Sequence, residues 1–128
     1  MKVLASLLAA SYLDNPISID GIFDTLLVTG APPQSSFNIV LVLQFTFMEF
    51  GEKHAVRIRI LDSDAKVIWY MNETAEVEAR PHPSHTYAVA YLNFHVTAQW
   101  HTAGEHFVCI DIDEQTIRQL SLNVQLQP

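Results

Sequence analysis

From Ser36 to Phe47 the chain alternates with a period of two. Phe37, Ile39, Leu41, Leu43, Phe45 and Phe47 fall on one side, and Asn38, Val40, Val42, Gln44 and Thr46 on the other. Successive side chains of an extended strand point to opposite faces, whereas those of a helix return every 3.6 residues. Apolar residues at strict two-residue spacing therefore specify a strand. With one wholly apolar side and one mixed side, it reads as a central strand of a β-sandwich.

The same grammar recurs downstream. A turn at Glu49-Phe50-Gly51-Glu52 leads to a segment with Val56, Ile58 and Ile60 inward and Arg57 and Arg59 outward. Asp62-Ser63-Asp64-Ala65-Lys66 reads as a hairpin turn, because Asp favours turns and tolerates left-handed backbone. The next strand runs from Val67 through Met71 towards Val77, and the Pro-dense Arg80-Pro81-His82-Pro83-Ser84-His85 reads as a loop. Residues 87–100 place Ala88, Ala90, Leu92, Phe94 and Val96 on one face. After a turn at residues 101–105, Val108, Ile110 and Ile112 share a face. A turn near Glu114-Gln115 precedes a last strand with Leu120, Leu122, Val124 and Leu126 inward. About eight strands without an interior helix predict an all-β protein. The expected form is a single-domain antiparallel β-sandwich over residues 1–128, of immunoglobulin-like or C2-like topology.

Residues 1–30 admit three readings. Lys2 before the apolar run 3–10, with small residues around Ala9-Ala10-Ser11, has the profile of a short secretory signal. Val3, Leu4, Leu7 and Leu8 also suit a helix, which would lack an N-cap and put Leu13 on the wrong face. The third reading is a strand that turns at Asn15-Pro16 and returns through residues 17–28, and it is preferred here.

Composition narrows the function classes. Hydrophobic residues make up 49% of the chain and charged residues 16%, which excludes disorder. The formal net charge is -7, a field against which nucleic acid or an anionic membrane would have to bind. Only Arg57, Arg59 and nearby Lys53 are grouped as a basic patch. A single cysteine, Cys109, excludes an internal disulfide framework. Its apolar neighbours Phe107, Val108 and Ile110 predict a packed, inert thiol. No apolar run reaches the roughly 20 residues that span a bilayer.

Specific residues also carry a resemblance. Residues 4–13 followed by Ile19-Asp20-Gly21-Ile22-Phe23-Asp24, the stretch His54 to Asp64, Ala103-Gly104-Glu105-His106-Phe107 and Leu120-Ser121-Leu122-Asn123-Val124 are similar to a family of small bacterial proteins of unknown function. The likeness extends over nearly the whole chain. One departure is Asp64-Ala65, where that family usually has Asp-Gly. The resemblance implies an eight-stranded β-sandwich whose first strand begins at residue 2, hence no signal peptide and a cytoplasmic protein. It implies no catalytic residues.

Several side chains remain as candidates. Asp62 and Asp64, with Asp111 and Asp113, could supply four carboxylates to Ca²⁺ if their two turns met in space. The alternative is that the first pair shapes a hairpin while the second solvates an outward strand face. His82 and His85, with two residues between them, have a metal-motif spacing but no nearby Cys to complete a zinc site. His54, His101 and His106 are expected to be solvated at strand ends. Trp69 and Tyr70 adjoin, so one is expected outside the core. No nucleophile setting or Gly-rich phosphate loop is recognisable.

The expectation is therefore a non-enzymatic β-sandwich interaction module with no cofactor and no metal. It pairs with a protein partner, foremost a second copy of itself, and not with nucleic acid or membrane. A ligand-binding sandwich for calcium or carbohydrate is the alternative, and a small hydrolase ranks last.

Overall fold

A computed structural model describes residues 1–76 and 87–127, the side chain of Phe47 excepted. The expected loop at residues 80–85, with His82 and His85, and the end of the sixth strand at Val77 lie outside the described residues. Nine strands follow in chain order: β1 (Lys2–Asp14), β2 (Ile17–Ile22), β3 (Thr25–Val28), β4 (Gln34–Thr46), β5 (Lys53–Leu61), β6 (Val67–Glu76), β7 (Tyr87–Gln99), β8 (Gly104–Ile112) and β9 (Gln115–Leu126). The described residues contain no α-helix, only a 3-10 turn at Phe47–Glu49. Among the described residues no helix is long and apolar enough to cross a membrane.

The strands form two sheets, ordered β2-β1-β4-β7 and β3-β9-β8-β5-β6. Phe37, Ile39, Leu41, Leu43 and Phe45 of β4 all point into the space between them, each 5% exposed or less. They meet Val56, Ile58 and Ile60 of β5, Val108, Ile110 and Ile112 of β8, and Leu122 and Val124 of β9. Each such side chain contributes about 1.5–3 kcal/mol by leaving water. The alternation of each strand is therefore the main source of the sandwich's stability. Val40 is also fully buried although it is on the outward face, flanked by Leu7 of β1 and Asn93 of β7.

The order distinguishes the two expected topologies. Strands β1, β4 and β7 lie as A, B and E of an immunoglobulin domain, and β5, β8 and β9 as C, F and G, with β6 beside C as C′. The immunoglobulin-like arrangement is the one present.

The start of the chain is strand, as read. β1 hairpins with β2 at Asn15-Pro16, a cis peptide, and pairs with β4 on its other side. The return through residues 17–28 is not one strand, however. It breaks at Phe23-Asp24, and β3 crosses to the second sheet, where it pairs parallel with β9. This makes nine strands rather than eight and leaves one parallel pair among the antiparallel ladders. The break is anchored on both sides. The Phe23 amide donates to Leu8 O at 3.0 Å, and the Asn123 amide to Asp24 O at 2.8 Å. Phe23 meanwhile packs edge-on against Phe37, ring centroids 5.5 Å apart. Gly21 makes the approach possible. Its φ is +68°, and a Cβ there would lie 2.8 Å from the Cβ of Ala10.

Candidate functional site

The two Asp-x-Asp pairs lie apart along β5. Asp62 closes the β5–β6 hairpin. Its Oδ1 accepts the amides of Asp64 at 3.0 Å and Lys66 at 2.9 Å, while its carbonyl accepts the Ala65 amide. Ala65 takes φ 62°, the left-handed conformation that Asp-Gly would adopt more easily. Asp111 and Asp113 lie further back along the strand, across from Arg57 and beside Ala55. From Arg57 to Asp62 the strand covers roughly 16 Å at its ordinary rise, so the turns do not meet and the four carboxylates form no common site.

Asp111 corrects the expectation of a solvated outward carboxylate, because it is 1% exposed. Its Oδ2 accepts Arg57 Nε at 3.0 Å and Nη2 at 2.7 Å, with Arg59 Nη2 at 3.4 Å, and its Oδ1 accepts the Thr116 hydroxyl at 2.7 Å. Burial pushes its pKa up, but the Thr116 hydroxyl and the two guanidiniums outweigh this and hold the carboxyl below the ordinary range. An outward carboxylate is thus buried where two guanidiniums and a hydroxyl close over it.

Asp113 and Glu114 form a two-residue turn with φ 51° and 69°, the left-handed pair of a type I′ hairpin. The turn falls one residue earlier than the sequence suggests. Asp113 Oδ1 accepts the Ala55 amide at 3.0 Å, and Oδ2 lies 2.6 Å from His54 Nδ1. The His54 contact, then the Ala55 amide, depress its pKa.

His54 also corrects the solvated-histidine reading. Its ring stacks on Phe45, and its Nε2 lies 3.5 Å from Glu52. Glu49, Glu52 and His54 bring three donor atoms within 4.8 Å of one another, a spacing that suits a divalent cation. Glu49 is already engaged, however. One oxygen accepts the Thr46 amide and hydroxyl, and the other pairs with the Met1 ammonium. That ammonium and Thr46 lower its pKa. Glu49 is thus held by the chain's own Thr46 and Met1, and Glu52 approaches His54 separately.

His106 is 1% exposed, set edge-on against Trp100 with Nδ1 3.0 Å from Gly104 O. It is a core histidine, not a solvated one, while His101 is exposed as read. Cys109 is 5% exposed, and burial pushes its thiol pKa up, which makes it the inert thiol expected from its neighbours. Of the adjoining aromatics, Tyr70 is outside at 64% exposure and Trp69 packs on the core. An apolar cleft among Leu43, Phe45, His54, Ala75, Ala90 and Leu92 holds only about 30 Å³, room for a water or two rather than a substrate.

The feature that sequence reasoning did not single out is the free edge of β7. Among the described residues no strand pairs with β7 on the side away from β4, the side where a constant-type immunoglobulin domain carries strand D. The other edges are shielded. β2 and β3 are short, with 6 and 4 residues. β6 carries Glu76 and turns Glu73, opposite Val56, towards the core side. Short length and inward charges are common protections for an edge. β7 has 13 residues, no charged residue other than the titratable His95, no Pro, and an unbroken register with β4 from Gln99 to Tyr87. The signal was present in the composition of residues 87–99. Its meaning depended on knowing that the strand is an edge.

The fold defines an all-β, two-sheet sandwich of immunoglobulin-like order, in which Asp62, Asp111 and Asp113 bond to its own turns and ladders. The chain belongs to the DUF6941 family, a family of unknown function, which matches residues 5–125. The resemblance carried by its motifs is thereby borne out. A search of curated proteins finds no match to the chain.

Proposed function

We propose that this protein is a non-enzymatic interaction module that self-associates through the exposed edge of its first sheet. The observation that carries this reading is β7, a long, neutral strand that among the described residues has no strand paired on one side, on a chain of net charge -7. An edge of this kind presents a row of unpaired N–H and C=O groups that another strand satisfies. The outward side chains Tyr87, Val89 and Tyr91 are 50%, 39% and 40% exposed. They extend the edge with apolar surface of the kind found at protein contacts. The absence of electrostatic repulsion along β7 is what lets two acidic chains approach there.

The non-enzymatic part of the reading is supported by the polar clusters. Asp62, Asp111, Asp113 and Glu49 each spend their oxygens on amides, hydroxyls or cations of the fold itself. Multi-angle light scattering of the purified chain at micromolar concentration tests the proposal. A mass of twice 14.4 kDa is expected, and a strictly monomeric mass overturns it.

A further inference from the structure

We infer that two copies join β7 to β7 antiparallel about a two-fold axis at Asn93, making one continuous sheet of β2-β1-β4-β7 from each copy. The inference rests on the self-association proposed above and adds the strand, the direction and the register.

The direction of the backbone groups sets the register. The Trp100 amide donates to Pro33 O at 3.0 Å, in the same alignment that pairs Gln34 with Gln99 and Thr46 with Tyr87. In an antiparallel ladder, residues alternate between those whose N–H and C=O face the partner and those whose groups face away. Trp100 faces β4, so within β7 the even-numbered residues bond to β4. The odd-numbered ones, from Tyr87 to Gln99, aim their main-chain groups at the free edge. A second copy must therefore place odd residues opposite odd residues. Among such alignments, the one centred on Asn93 uses the whole strand.

That alignment is also chemically self-consistent. It sets Tyr91 opposite His95 of the partner subunit and Val89 opposite Thr97 of the partner subunit on the outward face. On the inward face, Leu92 meets Phe94 of the partner subunit, and Ala90 meets Val96 of the partner subunit. On the inward face apolar positions oppose apolar ones, and nowhere do two carboxylates or ammoniums face each other, because residues 87–99 contain none. A two-fold contact requires this kind of self-complementarity. No register break in β4–β7 bends the edge away. Cross-strand pairing then adds to the ladder bonds.

Asn93→Cys tests the register directly. Asn93 is exposed and outward, and hydrogen-bonded partners in an antiparallel pair have Cα atoms about 5.5 Å apart, within the disulfide range. Two comparisons accompany it. The wild-type chain carries only buried Cys109, and Tyr70→Cys places an exposed thiol on β6. Each protein is equilibrated with oxidised and reduced glutathione, and the disulfide-linked dimer is read on a non-reducing gel. Near-complete linkage of Asn93→Cys, with little for wild type and Tyr70→Cys, supports the proposal. Equal linkage of Tyr70→Cys overturns it. A wild-type dimer by light scattering with Asn93→Cys unlinked overturns the strand and register while leaving self-association standing. A monomeric wild type overturns both.

Discussion

Asp111 lies directly across the β5–β8 ladder from Arg57, its Oδ2 2.7 Å from the Arg57 Nη2. The pair is asymmetric in burial, since the carboxylate side chain is 2% exposed and the Arg57 side chain 48%. The carboxylate is thus committed to the protein, while its partners keep one side in water.

Replacing Asp111 with Ala removes acceptors from Thr116, Arg57 and Arg59 at once. Charge-assisted hydrogen bonds contribute about 1.5–3 kcal/mol each when a buried member is lost, and the exposed arginines recover part of that through water. A loss of about 2 kcal/mol in urea-unfolding free energy is expected.

The pH dependence follows from the depressed Asp111 pKa. A carboxyl held lower in the fold than in the unfolded chain stabilises the fold above its unfolded pKa of about 3.9, and that stabilisation fades as pH falls through the folded value. The stability gap between wild type and Asp111→Asn should be full near neutrality and shrink below about pH 4. Denaturant melts across that range measure it, and a gap independent of pH would contradict the assignment.

Gly21→Ala introduces two penalties, the positive φ and a Cβ 2.8 Å from that of Ala10. A left-handed non-glycine residue costs about 1–2 kcal/mol, and the overlap adds to it by forcing β1 and β2 apart. Destabilisation of about 2–3 kcal/mol is expected, read by thermal or urea unfolding.

Ala65→Gly should act in the opposite direction. Ala65 has φ 62° at the β5–β6 turn, where glycine has no steric penalty. The relief of about 1–2 kcal/mol is partly offset by the greater freedom of glycine in the unfolded chain. A net gain of about 0.5–1 kcal/mol is expected from the same measurement, and a loss would show that the hairpin does not depend on this strain.

Asn93→Lys should convert a dimer to a monomer without unfolding it. Two lysines would face each other at the two-fold axis, and like charges directly opposite destabilise a strand pair. Light scattering should show the mass halved, with the far-ultraviolet β spectrum unchanged. Raising ionic strength should tighten the wild-type contact, because salt screens the repulsion between two chains of net charge -7.

Much of the fold was legible in the sequence because burial between two sheets imposes period-two alternation on every long strand. Phe37 to Phe45, Val56 to Ile60 and Leu120 to Leu126 could be assigned to the inner face from spacing alone. The Asp62 hairpin was legible because its turn is held by local bonds to Asp64 and Lys66. The crossing of β3 was not, since Leu26 and Val28 alternate equally well in either sheet. Asp111 escaped notice because its burial comes from Arg57 and Thr116, and Arg57 is 54 residues away in the chain. His106 escaped for a similar reason, as Trp100 covers it only once β7 and β8 have packed.

By itself, then, the sequence determined the class of protein: an all-β sandwich, with its inward residues, its hairpin turns and its family. Those properties arise from near-neighbour chemistry and from the two-residue repeat, which any strand carries wherever it pairs. Tertiary structure alone decided which strands stand side by side. Neighbourhood determines whether a carboxylate is paired, whether a histidine is dry, and whether a neutral strand such as β7 is an interior ladder or an edge with unmet hydrogen bonds.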